Sequence, residues 1–264
     1  MALTGELAAA YSATGGVWQR GPGRIYDRLA EVLVAGSPGP LVGARVLDVG
    51  AGTGAATRAV LAAGADAVVA VDAAFGMLAH HAAERPPAAA GDAVALPFAD
   101  AAFDAAVAAF SLNHLPDPAA GLREMARVTR RGGPLLAASY AAGDAHPVKA
   151  AVEAALSARG WTPDPWYVTM RAGATAELAT VAHGTVAAAA AGLDASVEVV
   201  HVPFPDLDAY DLVEWRLGLA QHAPFVARLP PAEHDAVAAD AVRRLGGQFP
   251  SLVRSVLVVR AVSP

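Results

Sequence analysis

The sequence predicts an α/β fold built on a mostly parallel sheet. Three observations carry this expectation. Between residues 45 and 140 short strand-like runs alternate with helical runs, the pattern of strands joined by crossover helices. The first of these runs ends in Gly50-Ala51-Gly52-Thr53-Gly54, and the next two are followed by carboxylates, at Asp72 and at Gly91-Asp92. With 264 residues the chain has room for one large domain, or a core with insertions, and enough length to bury a core without disulfides or metal.

Residues 1–40 are interrupted by Gly and Pro, with one helical stretch near 25–34. There Ile25, Leu29, Val32 and Leu33 recur at helical spacing, and Ser37-Pro38-Gly39-Pro40 ends it. The first strand is read at about 45–49, then a helix at 55–63 stopped by Gly64. A second strand at 67–71 ends at Asp72, and a helix near 75–84 stops at Pro86-Pro87. A short third strand lies at 88–90 and a fourth at about 103–110. Asp117-Pro118 reads as a helix start, with Leu122, Met125, Ala126 and Thr129 as the inner face, and Gly132-Gly133 as its end. The fifth strand is 135–140. Beyond residue 143 the rhythm changes: 144–195 and 205–248 are mostly helical, with strands at about 197–202 and 253–262. The expected organisation is 1–40 as an N-terminal helical lid, 41–143 as the binding core, and 144–264 as the rest of the sheet with helical insertions that cap the site.

Composition removes several function classes. There is no cysteine, hence no disulfide, thiolate metal site or thiol nucleophile. The net charge is −6 and no basic stripe is present, so nucleic acid is not an expected partner. No apolar run reaches the ~18–20 residues of a membrane span, and Met1 to Gly15 lacks the pattern of a signal peptide. A cytoplasmic protein without membrane partners, monomeric or homodimeric, is expected. The eight histidines show no ligand-type clustering, and Glu233-His234-Asp235 reads as a helix surface, so no metal is expected.

The glycine turn lets the backbone reverse sharply and approach a ligand. Alone it is ambiguous, because Gly50, Gly52 and Ala55 also satisfy a dinucleotide fingerprint. Asp48 argues otherwise: a carboxylate two residues before the turn repels a pyrophosphate and suits a cationic ligand. Asp72, 22 residues after Gly50, can accept ribose hydroxyls, a property shared with nicotinamide enzymes. Asp92 can accept an adenine amino group.

The run Val46-Leu47-Asp48-Val49-Gly50-Ala51-Gly52-Thr53-Gly54 resembles motif I of the class I S-adenosylmethionine-dependent methyltransferases. Gly91 to Phe98, Phe103-Asp104, Phe110 to Pro118 and Arg123 to Val128 resemble successive segments of the ubiquinone/menaquinone-biosynthesis subgroup, so the likeness spans about 44–141. Arg130-Arg131-Gly132-Gly133-Pro134 stands where that family often has Lys-Pro-Gly-Gly, and Ala73 replaces a frequent polar residue. The resemblance implies a Rossmann-like seven-stranded sheet whose last strand is antiparallel, and S-adenosylmethionine as cofactor. By it, Asp48, Gly50, Ala51, Gly52, Thr53 and Gly54 hold the methionine end, and Asp72, Ala73 and Met77 the ribose. Gly91, Asp92 and Ala93 hold the adenine, Phe110 and Ser111 close the pocket, and Tyr11, with Trp18, covers it.

The acceptor is read as a small metabolite methylated on O, N or C. His114 follows the fourth strand and is the candidate general base; a histidine that is structural, beside the cofactor, is the favoured reading of it. Trp18, Tyr140, His146, Trp166, Tyr167 and Trp215 are the candidate acceptor contacts, since aromatics supply apolar area with a polar edge. Each is weighed against a packing role, and for His146 a helix-start role. Two rival functions remain: a cofactor-binding protein acting as a non-methylating cyclase or binding protein, and a nicotinamide oxidoreductase.

Overall fold

The computed structural model describes residues 2–80, 83, 85–172 and 176–264. Seven strands form one sheet in the order β3-β2-β1-β4-β5-β7-β6: β1 Arg45–Val49, β2 Ala67–Asp72, β3 Ala88–Ala90, β4 Ala105–Ala109, β5 Pro134–Tyr140, β6 Ala195–Phe204 and β7 Leu252–Val262. The pairs β1–β2, β1–β4, β2–β3 and β4–β5 are parallel, whereas β7 runs antiparallel between β5 and β6. Strand order reverses between β1 and β4. There the crossover helices leave on opposite faces, and a crevice opens beyond the carboxyl ends of the strands.

The helices are α1 Ala2–Ser12, α2 Gly15–Arg20, α3 Pro22–Ala35, α4 Ala55–Ala62, α5 Phe75–Ala79, α6 Pro118–Val128, α7 Val148–Ser157, α8 Pro165–Ala172, α9 Val181–Ala190, α10 Ala209–Leu217, α11 Ala223–Val226 and α12 Pro231–Leu245. Period-two alternation sorts the strand residues. Val46, Val107, Leu136 and Val258 face a core shared with α3, α4, α7, α10 and α12; Leu47, Ala106, Leu135 and Leu257 face the core under α6 and α9. Both sides are buried, which is why the central strands read as continuous apolar runs.

Several boundaries differ from those read in the sequence, each for a local reason. The fourth strand is shorter at both ends: Phe103 makes only an isolated bridge to Thr129, and Phe110 turns into a left-handed conformation at φ +60°. The helix after β2 ends at Ala79, and residues 81, 82 and 84 of the expected 75–84 span lie outside the described residues. Helix α6 starts as expected, with Asp117 accepting the Ala120 N–H and Pro118 in the first turn, but Val128 rather than Ala126 completes its buried face. The N-terminal region holds three helices instead of one. Residues 1–40 read as interrupted by Gly and Pro, yet at Gly15 the chain lies close on α5, where an added Cβ would sit 3.0 Å from the Gly76 carbonyl oxygen. At Gly76 in α5 an added Cβ would sit 2.1 Å from the Ser12 carbonyl oxygen, so the end of α1 rests on the backbone of α5.

Candidate cofactor and acceptor site

The crevice at the β1/β4 reversal contains a cavity of about 420 Å³. The glycine turn after β1 forms its floor. Gly50, Gly52 and Gly54 all adopt positive φ, and the turn is held by Gly50 N and Ala51 N donating to the Val71 carbonyl. Gly50 has a second constraint: a Cβ there would overlap the Ser111 Cβ at 2.1 Å. The turn and the end of β4 therefore pack backbone against side chain, while Ser111 Oγ donates to the Val49 carbonyl at 2.7 Å.

Three carboxylates enter this cavity from three strand ends. Asp48 is fully buried. Its Oδ2 accepts from Thr57 Oγ1 at 2.7 Å, and its Oδ1 has no partner among the described residues. Burial pushes its pKa up to about 6, against the lowering effect of the Thr57 hydrogen bonds. Asp72 is fixed by two backbone donors, Gly52 N to Oδ2 and Ala74 N to Oδ1, both at 2.7 Å; its pKa is also raised by burial. Each Asp72 oxygen keeps a lone pair for a further donor. Asp92 accepts from Val94 N through Oδ1 at 3.1 Å, leaving its other oxygen free to accept. The loop that carries it is clamped from α6: Glu124 accepts the Leu96 N–H, and Arg127 pairs with Glu124 and Asp100 while donating to the Phe98 and Leu96 carbonyls.

Aromatic and apolar side chains close the cavity. Tyr11 lies 5.5 Å from Trp18 and 5.4 Å from His114 between ring centroids; Trp18 stacks at 5.0 Å on Tyr26, which meets Phe110 edge-on at 5.3 Å. His114 holds both ring nitrogens against protein atoms, Nε2 at 3.3 Å from Tyr11 Oη and Nδ1 at 3.2 Å from Met170 Sδ. Burial pulls its pKa down to about 4, so it is neutral near pH 7.

The cavity wall includes Tyr11, Trp18, His114 and every residue read as cofactor-binding except Gly54. Gly54 instead caps α4 at φ +89°. The other acceptor candidates lie outside the wall. Tyr140 stacks behind Phe110 at 4.7 Å, and Trp215 is buried deeper still. Trp166 and Tyr167 pack on α1 around Leu7 and Ala10. His146 organises a chain turn: its Nδ1 accepts from Val148 N and its Nε2 meets the Pro250 carbonyl. Two residues had no signal in the sequence. Tyr26, on α3, lines the wall with its ring against Trp18 and Phe110. Arg85 donates from Nη2 to the Gly52 carbonyl at 3.2 Å and lies within the field of both Asp48 and Asp72, the nearby cation that offsets two buried carboxylates.

Comparison with known proteins bears on this geometry. Residues 47–137, the stretch that supplies the glycine turn and all three carboxylates, match the family model described as methyltransferase domain. That stretch of the chain is similar to a methyltransferase domain. Demethylmenaquinone methyltransferases of Renibacterium salmoninarum and Mycolicibacterium vanbaalenii are each 42% identical to it, over 141 and 134 residues respectively. The alignments cover 53% and 51% of this chain and 57% of each relative, so the chain matches somewhat over half the length of these curated relatives. Among solved structures, phosphoethanolamine N-methyltransferase 2 of Haemonchus contortus, in complex with S-adenosyl-L-methionine, superposes with a TM-score of 0.56 at 20% identity, covering 90% of this chain and 52% of that one. The [4+2]-cyclase SpnF superposes at 0.55 with 23% identity over 90% of this chain and 81% of its own. At these identities the likeness establishes the shared fold. Among the described residues no helix is long and apolar enough to cross a membrane.

Proposed function

We propose that this methyltransferase domain binds S-adenosylmethionine in the cavity at the β1/β4 reversal and serves methyl transfer to an O, N or C atom of a small, fairly apolar metabolite. The observation that carries the reading is Asp48 Oδ1: buried, without a partner among the described residues, on a carboxylate that lines the cavity beside the glycine turn. An ammonium group answers it, whereas a pyrophosphate at the same turn would face a carboxylate, which speaks against a nicotinamide cofactor. The rest of the wall fits the same ligand: Asp72 for the ribose diol, Asp92 for the adenine amino group, and Phe110 with Met77 as apolar contacts. An acidic chain of net charge −6 supports a small-molecule acceptor over nucleic acid.

When bound, S-adenosylmethionine supplies an electrophilic methyl group on a sulfonium. The chain's own contribution is orientation and exclusion of water. Tyr11, Trp18 and Tyr26 wall the cavity on the side of the N-terminal helices, which we read as a lid. With its pKa lowered to about 4, His114 is a neutral hydrogen-bonding group and a weak base, suited to orienting Tyr11 and an acceptor more than to removing a proton from an unactivated hydroxyl. Helix α8, packed on α1, extends this cover, in keeping with a capping role for part of 144–264.

Calorimetric titration with S-adenosylhomocysteine tests the reading, with binding at a one-to-one ratio expected. A folded chain that does not bind overturns it. If it binds but turnover yields no S-adenosylhomocysteine, the cyclase reading replaces methyl transfer. The lid has its own test. Gly76→Ala forces the Ser12 carbonyl off α5, and is expected to weaken S-adenosylhomocysteine binding by about tenfold while circular dichroism stays that of the parent; unchanged affinity would separate α1 from the site.

A further inference from the structure

Behind the cavity wall lies a buried polar cluster whose side chains are not part of the cavity lining. Tyr140 backs Phe110, and the Arg254 guanidinium stacks on the Tyr140 ring at 3.9 Å and on Trp215 at 4.8 Å. The Arg216 guanidinium lies 5.4 Å from the same Trp215 ring. These groups are almost wholly buried, with Arg254 6%, Arg216 8% and Trp215 2% exposed. Arg254 is paired with Asp144 at 2.5 Å. Arg216 is not paired in the same way: its carboxylate neighbour, Glu153 Oε1, is 4.0 Å away, beyond hydrogen-bond length.

Arg216 Nε and Nη2, Arg254 Nε and Trp215 Nε1 are buried donors with no acceptor among the described residues. Against them stand Glu153 Oε1, Tyr140 Oη and His222 Nε2, the last on a ring whose Nδ1 is 2.7 Å from the Arg216 carbonyl. Burying guanidinium N–H groups without acceptors is costly, and a ligand anion offsets that cost. The cluster adjoins the cavity through Tyr26 and Phe110, which line the wall and lie 6.1 and 4.7 Å from the Tyr140 ring. It is built from α10, β7 and the end of β5, so both arginines come from outside the 47–137 stretch that matches the family model.

We propose that Arg216 and Arg254, gathered on Trp215 behind Tyr26 and Phe110, form a recognition subsite for a carboxylate on the methyl acceptor. This rests on the methyl-transfer reading above and narrows its substrate class to small organic acids. A carboxylate is planar and presents two oxygens, matching the paired N–H donors along a guanidinium edge. A singly charged group also suits a cluster that already contains Asp144 and Glu153, where a phosphate dianion would be opposed.

The test uses the full chain saturated with S-adenosylhomocysteine, titrated with benzoate and with its neutral isostere benzamide. Benzoate is expected to bind at least ~tenfold more tightly. Arg216→Met is expected to remove that preference while S-adenosylhomocysteine affinity stays within about twofold. Because replacing a buried arginine can unfold the chain, ¹⁵N-arginine spectra of the unmodified protein give a second readout: the Nε–H signals of Arg216 and Arg254 shift with benzoate and not with benzamide. Equal binding of the two probes, binding of neither to the S-adenosylhomocysteine complex, or a benzoate preference with unmoved arginine signals overturns the carboxylate subsite and leaves methyl transfer standing. Failure to bind S-adenosylhomocysteine overturns both.

Discussion

Asp48→Asn is expected to weaken S-adenosylhomocysteine binding by roughly 30-fold or more, the equivalent of about 2 kcal/mol or above for removing one partner of a buried charge pair, while making the ligand-free protein more stable. The two effects have one origin. Asp48 is buried beside a single hydroxyl donor, and its pKa of about 6 lies above the ordinary carboxylate range. In the ligand-free state its contribution to stability is complete below pH 4 and is lost as pH rises through about 6, because the native state binds the proton more tightly than the unfolded chain does. The ionised group therefore costs roughly 3 kcal/mol at neutral pH. Asparagine removes that cost without changing the shape, so a melting temperature higher by about 6 °C is expected in the absence of ligand. Ligand binding has the opposite dependence. An ammonium selects the ionised carboxylate, so affinity should be roughly tenfold weaker at pH 5 than at pH 7.5 in the parent and nearly flat in Asp48→Asn. Calorimetry across that range checks both statements. If the Asp48→Asn protein binds as the parent does, Asp48 is not among the ligand's contacts.

Gly50→Ala is the second large effect, and it acts on the fold before the ligand. Position 50 combines φ +70° with a Cβ position 2.1 Å from the Ser111 Cβ. The left-handed backbone costs an alanine about 1 kcal/mol, and the overlap forces apart the ends of β1 and β4 at the point where they bound the cavity. A total loss of roughly 3 kcal/mol or more is expected, seen as a melting temperature lower by about 6 °C or more, with S-adenosylhomocysteine binding below detection. Adding Ser111→Gly relieves the overlap but not the dihedral strain, so the double variant should recover part of the loss, a coupling expected of residues in direct contact. A single variant melting within about 1–2 °C of the parent would mean that the turn relaxes freely.

Both predictions concern residues that were legible in the sequence, and the reason is local. A strand, a glycine turn and a carboxylate two residues before it lie on one continuous stretch of backbone, so Val46 to Gly54 dictates how Asp48 is presented almost unaided. The same holds for Asp72 at the end of β2, for Asp92 in its turn, and for the Asp117-Pro118 helix start. Where local signals were weak, the reading fell short. Helices α1 and α2 are rich in alanine and glycine, and what orders them is contact with α5 and α8 rather than their own periodicity. Arg85 gave no signal, because its importance lies in two carboxylates 13 and 37 residues away in the chain.

The sequence by itself determined the alternating α/β core, the parallel strands up to β5, the glycine turn and the three carboxylates that meet beyond it, since each depends on short-range backbone preference and apolar periodicity. Only the tertiary structure decided which aromatics wall the cavity and which stand behind it. Tyr11, Tyr26, His114, Tyr140, Trp215 and Arg254 are spread over almost the whole chain, and they converge because β7 inserts antiparallel between β5 and β6 while α1, α3 and α10 fold towards the strand ends. Side-chain type marks such residues as able to bind or to pack; long-range burial decides which of the two they do.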